Sequence, residues 1–209
     1  APPSGTESGV GIQCQSGASV TLEDVAVAHS LKIGAEVTGS SSRMTVAALS
    51  VSDTRQNTSP FETAGGLHVR DQGRLVADDL VLLANDEVGL VVADPGAVAQ
   101  VQRLRIIDTR PRVQDQRLGQ GIRVENSGYL TASDVTLLRN REVAVDVSGA
   151  ASALRLSRGL VVETLARTTD GRAGRAFEFS QGSDVEVSDT VVRGNTELAV
   201  RSEEHTSEL

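Results

Sequence analysis

The chain has 209 residues, a formal net charge of −8 at pH 7 and an aromatic content of only 2%. An acidic chain without a basic stripe or interleaved aromatic residues argues against a nucleic-acid-binding protein. No apolar run approaches the roughly 18 residues of a membrane-spanning helix, and a single cysteine, Cys14, excludes an internal disulfide. The core is therefore expected to consist of aliphatic side chains.

The sequence repeats with a constant period and without an insertion or a deletion, which predicts a solenoid of stacked units. Four acidic residues mark the period: Asp24, Asp79, Asp134 and Asp189. We interpret them as a turn preference, because members two coils apart lie about 9.6 Å from each other, whereas Ca²⁺ binds oxygens at about 2.3–2.6 Å. No metal ion and no cofactor is predicted.

Each 55-residue unit contains two versions of one coil, and each coil has three short runs of alternating polarity separated by Gly, Asp, Asn or Pro. This pattern predicts three strands per coil. Short and long coils alternate, since the step from Leu67 to Leu90 is shorter than the step from Leu90 to Ile122, which includes a long loop. Seven coils are expected to open near Ile12, Ala35, Leu67, Leu90, Ile122, Val145 and Phe177.

Three sequence motifs characterise the coils: Gly-Leu-Val-Val at 89–92, Asp-Asp-Leu-Val-Leu-Leu-Ala-Asn at 78–85, and a related motif at 133–140, one period after the second. They resemble the right-handed parallel β-helix repeat proteins of the pectate-lyase-like fold, over roughly residues 9–200. The resemblance implies an all-β, right-handed parallel β-helix. The double coil is most similar to the large repeat-built surface proteins of myxobacteria, which implies a bacterial, extracellular or cell-surface location.

A leucine-rich repeat is the alternative fold, since Leu80-x-Leu82 followed by Asn85 resembles its signature. That fold needs a helical or extended return segment in each repeat. The returns in this chain contain turn residues and no helical periodicity, which favours the β-helix.

The repeat defines three segments: an N-terminal flank at 1–8, the β-helix at 9–200 and a tail at 201–209 that breaks the pattern. The tail resembles a translated sequencing adapter, and the alternative is a natural polar tail. We therefore expect the β-helix to be a fragment of a longer array, whose neighbouring coils would be its partners.

Six polar residues recur at one corner of successive coils: Thr54, Asn85, Thr109, Asn140, Thr164 and Asn195. We call this set the corner ladder. Side chains of these types can satisfy backbone groups that a bend leaves unpaired. The corner ladder is therefore expected to be structural, without a role in catalysis.

The long loops, residues 54–66, 109–121 and 164–176, are the best candidates for function because they contain more arginines than carboxylates. The candidate ligand-binding residues are Arg110, Arg112, Arg117, Arg167, Arg172 and Arg175. Arginine presents forked donors that suit carboxylated or sulfated polysaccharides. Ordinary solvated loops are the alternative interpretation.

Catalysis has weaker support in the sequence. Enzymes of the resembled fold carry clustered calcium carboxylates with a basic residue, or Asp-Asp, Gly-His-Gly and Arg-Ile-Lys motifs. Asp78-Asp79 is an element of the repeat, the other motifs are missing, and no coil breaks the repeat with convergent chemistry. We therefore expect a non-catalytic scaffold, the alternative being a polysaccharide lyase or glycoside hydrolase whose site lies in a missing part or on the loop edge.

Overall fold

The computed structural model describes residues 9–56, 64–197 and 199–203, and every regular element in these ranges is a β-strand. The first nine strands are β1 (Val10–Cys14), β2 (Ser19–Leu22), β3 (Val25–Ala28), β4 (Ile33–Thr38), β5 (Arg43–Val46), β6 (Leu49–Ser52), β7 (Gly65–Arg70), β8 (Arg74–Leu83) and β9 (Val88–Ala93). The next nine are β10 (Val98–Ile107), β11 (Gln120–Glu125), β12 (Tyr129–Leu138), β13 (Val143–Ser148), β14 (Ala153–Val162), β15 (Arg175–Ser180), β16 (Asp184–Ser188), β17 (Val191–Arg193) and β18 (Val200–Glu203). No helix in these ranges is long and apolar enough to cross a membrane.

The strands form two parallel sheets in which neighbours come from successive coils. One sheet has eight strands in the order β1-β4-β7-β9-β11-β13-β15-β18. The second, ten-stranded sheet has the order β16-β14-β12-β10-β8-β5-β2, with β3, β6 and β17 completing it. The chain therefore winds as a parallel β-helix, as the repeat predicts. The leucine-rich alternative is wrong, because the return segments of the described residues pair from coil to coil into a second parallel sheet.

The predicted coil openings lie directly above one another in the eight-stranded sheet. Ile12 pairs with Ala35, Ala35 with Leu67, and the same register continues through Leu90 to Phe177. Strand β18 continues it, since Phe177 pairs with Val200. The last described strand thus runs to Glu203, past the boundary that the sequence places at residue 200.

The interior is one continuous column of aliphatic side chains, as the low aromatic content predicts. Ile106 pairs with Leu82 on one side and with Leu137 on the other, and all three side chains are fully buried. Cys14 is also buried and free. Each coil buries its apolar face against the next, and burial of one such side chain stabilises the fold by about 1.5–3 kcal/mol.

Single residues in the left-handed region bend the ten-stranded sheet. Their φ angles are 64° at Asp79, 53° at Arg103, 54° at Asp134 and 52° at Arg158. Asp adopts this conformation more readily than most residues, which accounts for the acidic period. Because one residue makes the bend, the second and third predicted strands are a single ten-residue strand in β8, β10, β12 and β14.

Candidate functional site: the long loops

The second and third long loops have the same backbone arrangement. The amide of Arg112 donates to the carbonyl oxygen of Arg117 at 2.7 Å, and the amide of Arg167 donates to that of Arg172 at 2.8 Å. In the first loop, residues 57–63 lie outside the described residues. The two described loops are therefore structural copies that project from the same edge of the helix.

Carboxylates of the coils hold the loops through Arg112 and Arg167. Arg112 Nε lies 3.4 Å from Oε1 of Glu87, and one repeat later Nη2 of Arg167 donates a hydrogen bond to Oε1 of Glu142. Both glutamates are buried. Burial raises the pKa of Glu87, while Arg112 acts in the opposite direction. These two arginines are anchors of the loops.

Glu142 also connects one loop to the next. Its Oε2 accepts a hydrogen bond from the amide of Leu118, at the end of the second loop, at 2.6 Å. The carboxylate of Glu197 does the same for Ala173 at the end of the third loop, at 2.8 Å. Each loop end is thus bound by a carboxylate that lies 24 residues further along the chain.

Arg110 and Arg175 are also paired with carboxylates. Arg110 lies 2.9 Å from Asp86 and 3.2 Å from Asp53. Arg175 lies 2.9 Å from Glu178 and 3.0 Å from Glu197. Four of the six candidate arginines are therefore neutralised by the protein itself.

Arg117 and Arg172 differ from the other four. Both are exposed, and within the described ranges neither guanidinium contacts a carboxylate or another hydrogen-bond acceptor. They are one full period apart and occupy the same position in the two loops. The structure thus leaves two equivalent cationic groups available to a ligand.

A cavity of about 470 Å³ lies beside the third loop, on the outer face of the eight-stranded sheet, and Arg172 lines it. Gln120 donates a hydrogen bond to Asp146 at 3.0 Å, and Arg123 lies 3.9 Å from the same carboxylate. Glu178 is the direct strand partner of Asp146. Burial raises the pKa of Asp146 to about 6, Arg123 lowers it and the charge of Glu178 raises it further.

The sequence analysis did not identify this polar column, because its residue type changes from coil to coil and does not recur with the period. Arg123, Asp146 and Glu178 come from three successive coils and meet only through the strand register. A signal was present: His68 and Val91 occupy the equivalent positions one period before Arg123 and Asp146. Among the described residues, no group of three or more His, Cys, Asp or Glu side chains could hold a metal ion.

The corner ladder forms three Thr/Asn pairs. Asn85 Oδ1 accepts from the amide of Thr54 at 3.1 Å, and its Nδ2 donates to a backbone carbonyl at 3.1 Å. Thr109 Oγ1 donates to Asn140 at 2.7 Å. The third pair, in which the amide of Thr164 donates to Asn195 at 3.1 Å, lies at the end of the stack. Each asparagine reaches back one coil and satisfies groups at the corner.

The family model described as a right handed beta helix region matches residues 5–161, which is more than half of the chain. The chain belongs to this family. Neither a curated protein nor a solved structure matches the chain detectably.

Membership of the right-handed β-helix family determines the architecture and leaves the function open, since one fold can carry many activities. The functional argument for this β-helix must therefore rest on its own loops and cavities.

Proposed function

We propose that this protein is a non-catalytic, extracellular or cell-surface β-helix scaffold that binds an anionic polysaccharide through Arg117 and Arg172. The observation that carries the proposal is that these two exposed guanidinium groups lack a protein partner in the described residues, while the neighbouring loop arginines have one. A guanidinium offers forked donors to carboxylate or sulfate. Both groups can therefore bind ligand charges without displacing a protein carboxylate.

The spacing of the two arginines favours a polymer over a small anion. They occupy equivalent positions two coils apart, which corresponds to a backbone separation of about 9.6 Å. A chain with regularly repeated charges can contact both at once, and the second contact then has a high effective concentration.

The carboxylate anchors favour binding as well. Arg112 and Arg167 fix the loops to Glu87 and Glu142, so little conformational freedom is lost when a ligand binds to the loop. Preorganisation of this kind increases affinity by reducing the cost of ordering. Of the six candidate arginines, Arg117 and Arg172 are thus proposed to bind the ligand, while the other four are paired with protein carboxylates.

The test compares two double variants with the same change in charge. Arg117→Ser/Arg172→Ser should elute earlier than the wild type from polyuronate and heparin columns. Arg103→Ser/Arg158→Ser, which removes two exposed arginines of the ten-stranded sheet, should elute with the wild type. Wild-type retention should also decrease with salt, because the Debye length is about 8 Å at physiological ionic strength. Equal losses in both variants, or no wild-type retention at low salt, would remove the proposal.

A polysaccharide-active enzyme is the second candidate, and Asp146 is the observation that favours it. Burial raises the pKa of this carboxyl to about 6, and such shifts often mark catalytic acids. Its strand partner Glu178 places a second carboxyl group on the neighbouring strand, and most glycosidases act through a pair of carboxyl groups. Release of sugar ends from polyuronates by the wild type, and not by Asp146→Asn or Glu178→Gln, would support this candidate. No release between pH 4 and pH 8 would eliminate it.

A further inference from the structure

Two arginines lie side by side at the start of neighbouring strands in the ten-stranded sheet. Arg43 in β5 and Arg74 in β8 are direct partners in the strand register. Their backbones are therefore about 4.8 Å apart. Both side chains are exposed, and neither forms an ion pair or a side-chain hydrogen bond within the described part of the chain.

The fold gives no reason for this arrangement. Like charges directly opposite each other on neighbouring strands destabilise a sheet. Elsewhere in the same sheet arginines are matched with acids: Arg103 lies 2.7 Å from Asp78, and Arg158 lies 2.8 Å from Asp134. An in-register arginine pair without an acid therefore indicates a missing negative charge.

The surroundings of the pair are rich in hydrogen-bond donors, and no carboxylate lines them. A cavity of about 610 Å³ is lined by the two arginines together with Ser19, Ser40, Ser41, Ser42, Gln72 and Gly96. Asp71, in the turn before β8, accepts a hydrogen bond from Thr38 at 3.1 Å and does not line the cavity. In a chain with a net charge of −8, this is a locally positive concavity.

Gly96, in the turn of the next coil, forms part of the wall of this cavity. Its φ angle is 82°, a conformation that side chains rarely adopt, and a Cβ atom there would lie 2.9 Å from Cγ of Gln72. The turn of the next coil thus places no side chain at this point of the cavity wall.

We propose that Arg43 and Arg74, with the exposed hydroxyls of Ser19, Ser40 and Ser41, bind the tetrahedral oxyanion of a sulfate or phosphate monoester. Two guanidinium groups suit a group with several acceptor oxygens, since each can form a forked contact. A single carboxylate has only two oxygens, which one guanidinium fork already occupies. The lining contains no aromatic side chain, so recognition concerns the ester group and not the ring that carries it. This site is separate from Arg117 and Arg172.

Inorganic sulfate and inorganic phosphate are the first probes, titrated into the full chain at constant ionic strength with chloride as the replaced anion. The arginine Nε–H resonances in ¹⁵N-resolved NMR spectra give a direct readout. We expect two of these signals to shift on titration with either divalent anion. Arg43→Gln/Arg74→Gln should bind about tenfold or more weakly, and Arg103→Gln/Arg158→Gln should bind like the wild type.

Arg74→Glu distinguishes loss of the site from loss of the fold. This change places a carboxylate opposite Arg43, so the variant should have a higher Tm than the wild type in chloride buffer and should no longer bind sulfate. Titration with glucose 6-sulfate and with glucose 6-phosphate then shows which type of monoester the site prefers. Binding of either compound supports the proposal, and the compound with the higher affinity identifies the preferred ester.

Three results would overturn the proposal. The first is that the arginine Nε–H signals of the wild type do not shift with either divalent anion. The second is an unchanged sulfate affinity in Arg43→Gln/Arg74→Gln. The third is a loss of sulfate affinity in Arg103→Gln/Arg158→Gln as large as that in Arg43→Gln/Arg74→Gln.

Discussion

Replacement of Asp146 by Asn should stabilise the protein at neutral pH. Burial raises the pKa of this carboxyl from 3.8 to about 6, a shift of about two units, and one unit corresponds to about 1.4 kcal/mol. The ionised form thus costs at most about 3 kcal/mol at pH 7. The side chain retains 20% exposure and Arg123 would lose a partner, so we expect a gain of about 1–2 kcal/mol.

The stabilisation of Asp146→Asn relative to the wild type should increase with pH. Because the pKa of Asp146 is raised in the folded state, the folded protein holds its proton between about pH 4 and pH 6, where the unfolded chain has lost it. The contribution of Asp146 to wild-type stability therefore decreases as the pH rises through this window. Asn carries no charge, so the difference between variant and wild type should be near zero at pH 4 and reach its full size above about pH 6.5.

Urea denaturation at half-unit steps from pH 4 to pH 7.5 measures this difference. Asp24→Asn is the matched control, since it makes the same chemical change at an exposed position and should show a small difference at every pH. If Asp146→Asn is less stable than the wild type at pH 7, the contacts of the carboxylate with Arg123 and Gln120 outweigh its burial and the reasoning is wrong.

Three further variants test the core, the corner ladder and the buried histidine by urea denaturation. Leu137→Ala should lower the free energy of unfolding by about 2–5 kcal/mol, because it leaves a cavity in the core. Thr136→Ala, at an outward-facing position, should lower it by about 0.5 kcal/mol or less. Similar losses in the two variants would contradict the assignment of Leu137 to the inner face and Thr136 to the outer face of the strand. Asn140→Leu should lower the free energy of unfolding by about 1–3 kcal/mol, because it leaves buried polar groups at the corner without a hydrogen-bond partner. The loss should be larger than that in Asn140→Thr. Equal losses in the two variants would argue against a structural role of the corner ladder. Burial lowers the pKa of His68, so the contribution of this residue to stability should decrease as the pH falls below about 6.5, opposite in sign to that of Asp146. The pH slope of the free energy of unfolding should therefore differ between His68→Leu and the wild type, and an unchanged slope would refute this cause.

The coil register could be predicted from the sequence because the repeat has no insertions. The two coils of each unit follow one pattern, so Leu67 and Leu90 open successive coils and should be strand neighbours, and the structure confirms this pairing. The continuous ten-residue strands were not predicted. The reason is that a left-handed residue such as Asp79 bends the backbone while the pairing with the next coil skips only this residue and resumes at Leu80. In the sequence, a polar corner fits equally well a turn that ends a strand.

The state of the loop arginines could not be predicted from their spacing. The period shows that Arg112 and Arg167 recur, but the sequence does not say whether they meet solvent or a coil. Glu87 and Glu142 recur with the same period, and this joint recurrence was the available signal for a contact. Glu87 and Glu142 are buried and adopt the left-handed conformation. The folded backbone, and not the residue type, determines the direction of their side chains and therefore which groups they contact.

The hydrogen bond from Leu118 to Glu142 has a consequence for protein engineering. A graft or truncation that stops at the end of one period keeps the sequence of a loop but removes the carboxylate that binds its end. The transplantable module is therefore longer than the period by about one coil. A designer who wants a given number of ordered loops must supply one additional coil after the last loop, with its glutamate in place.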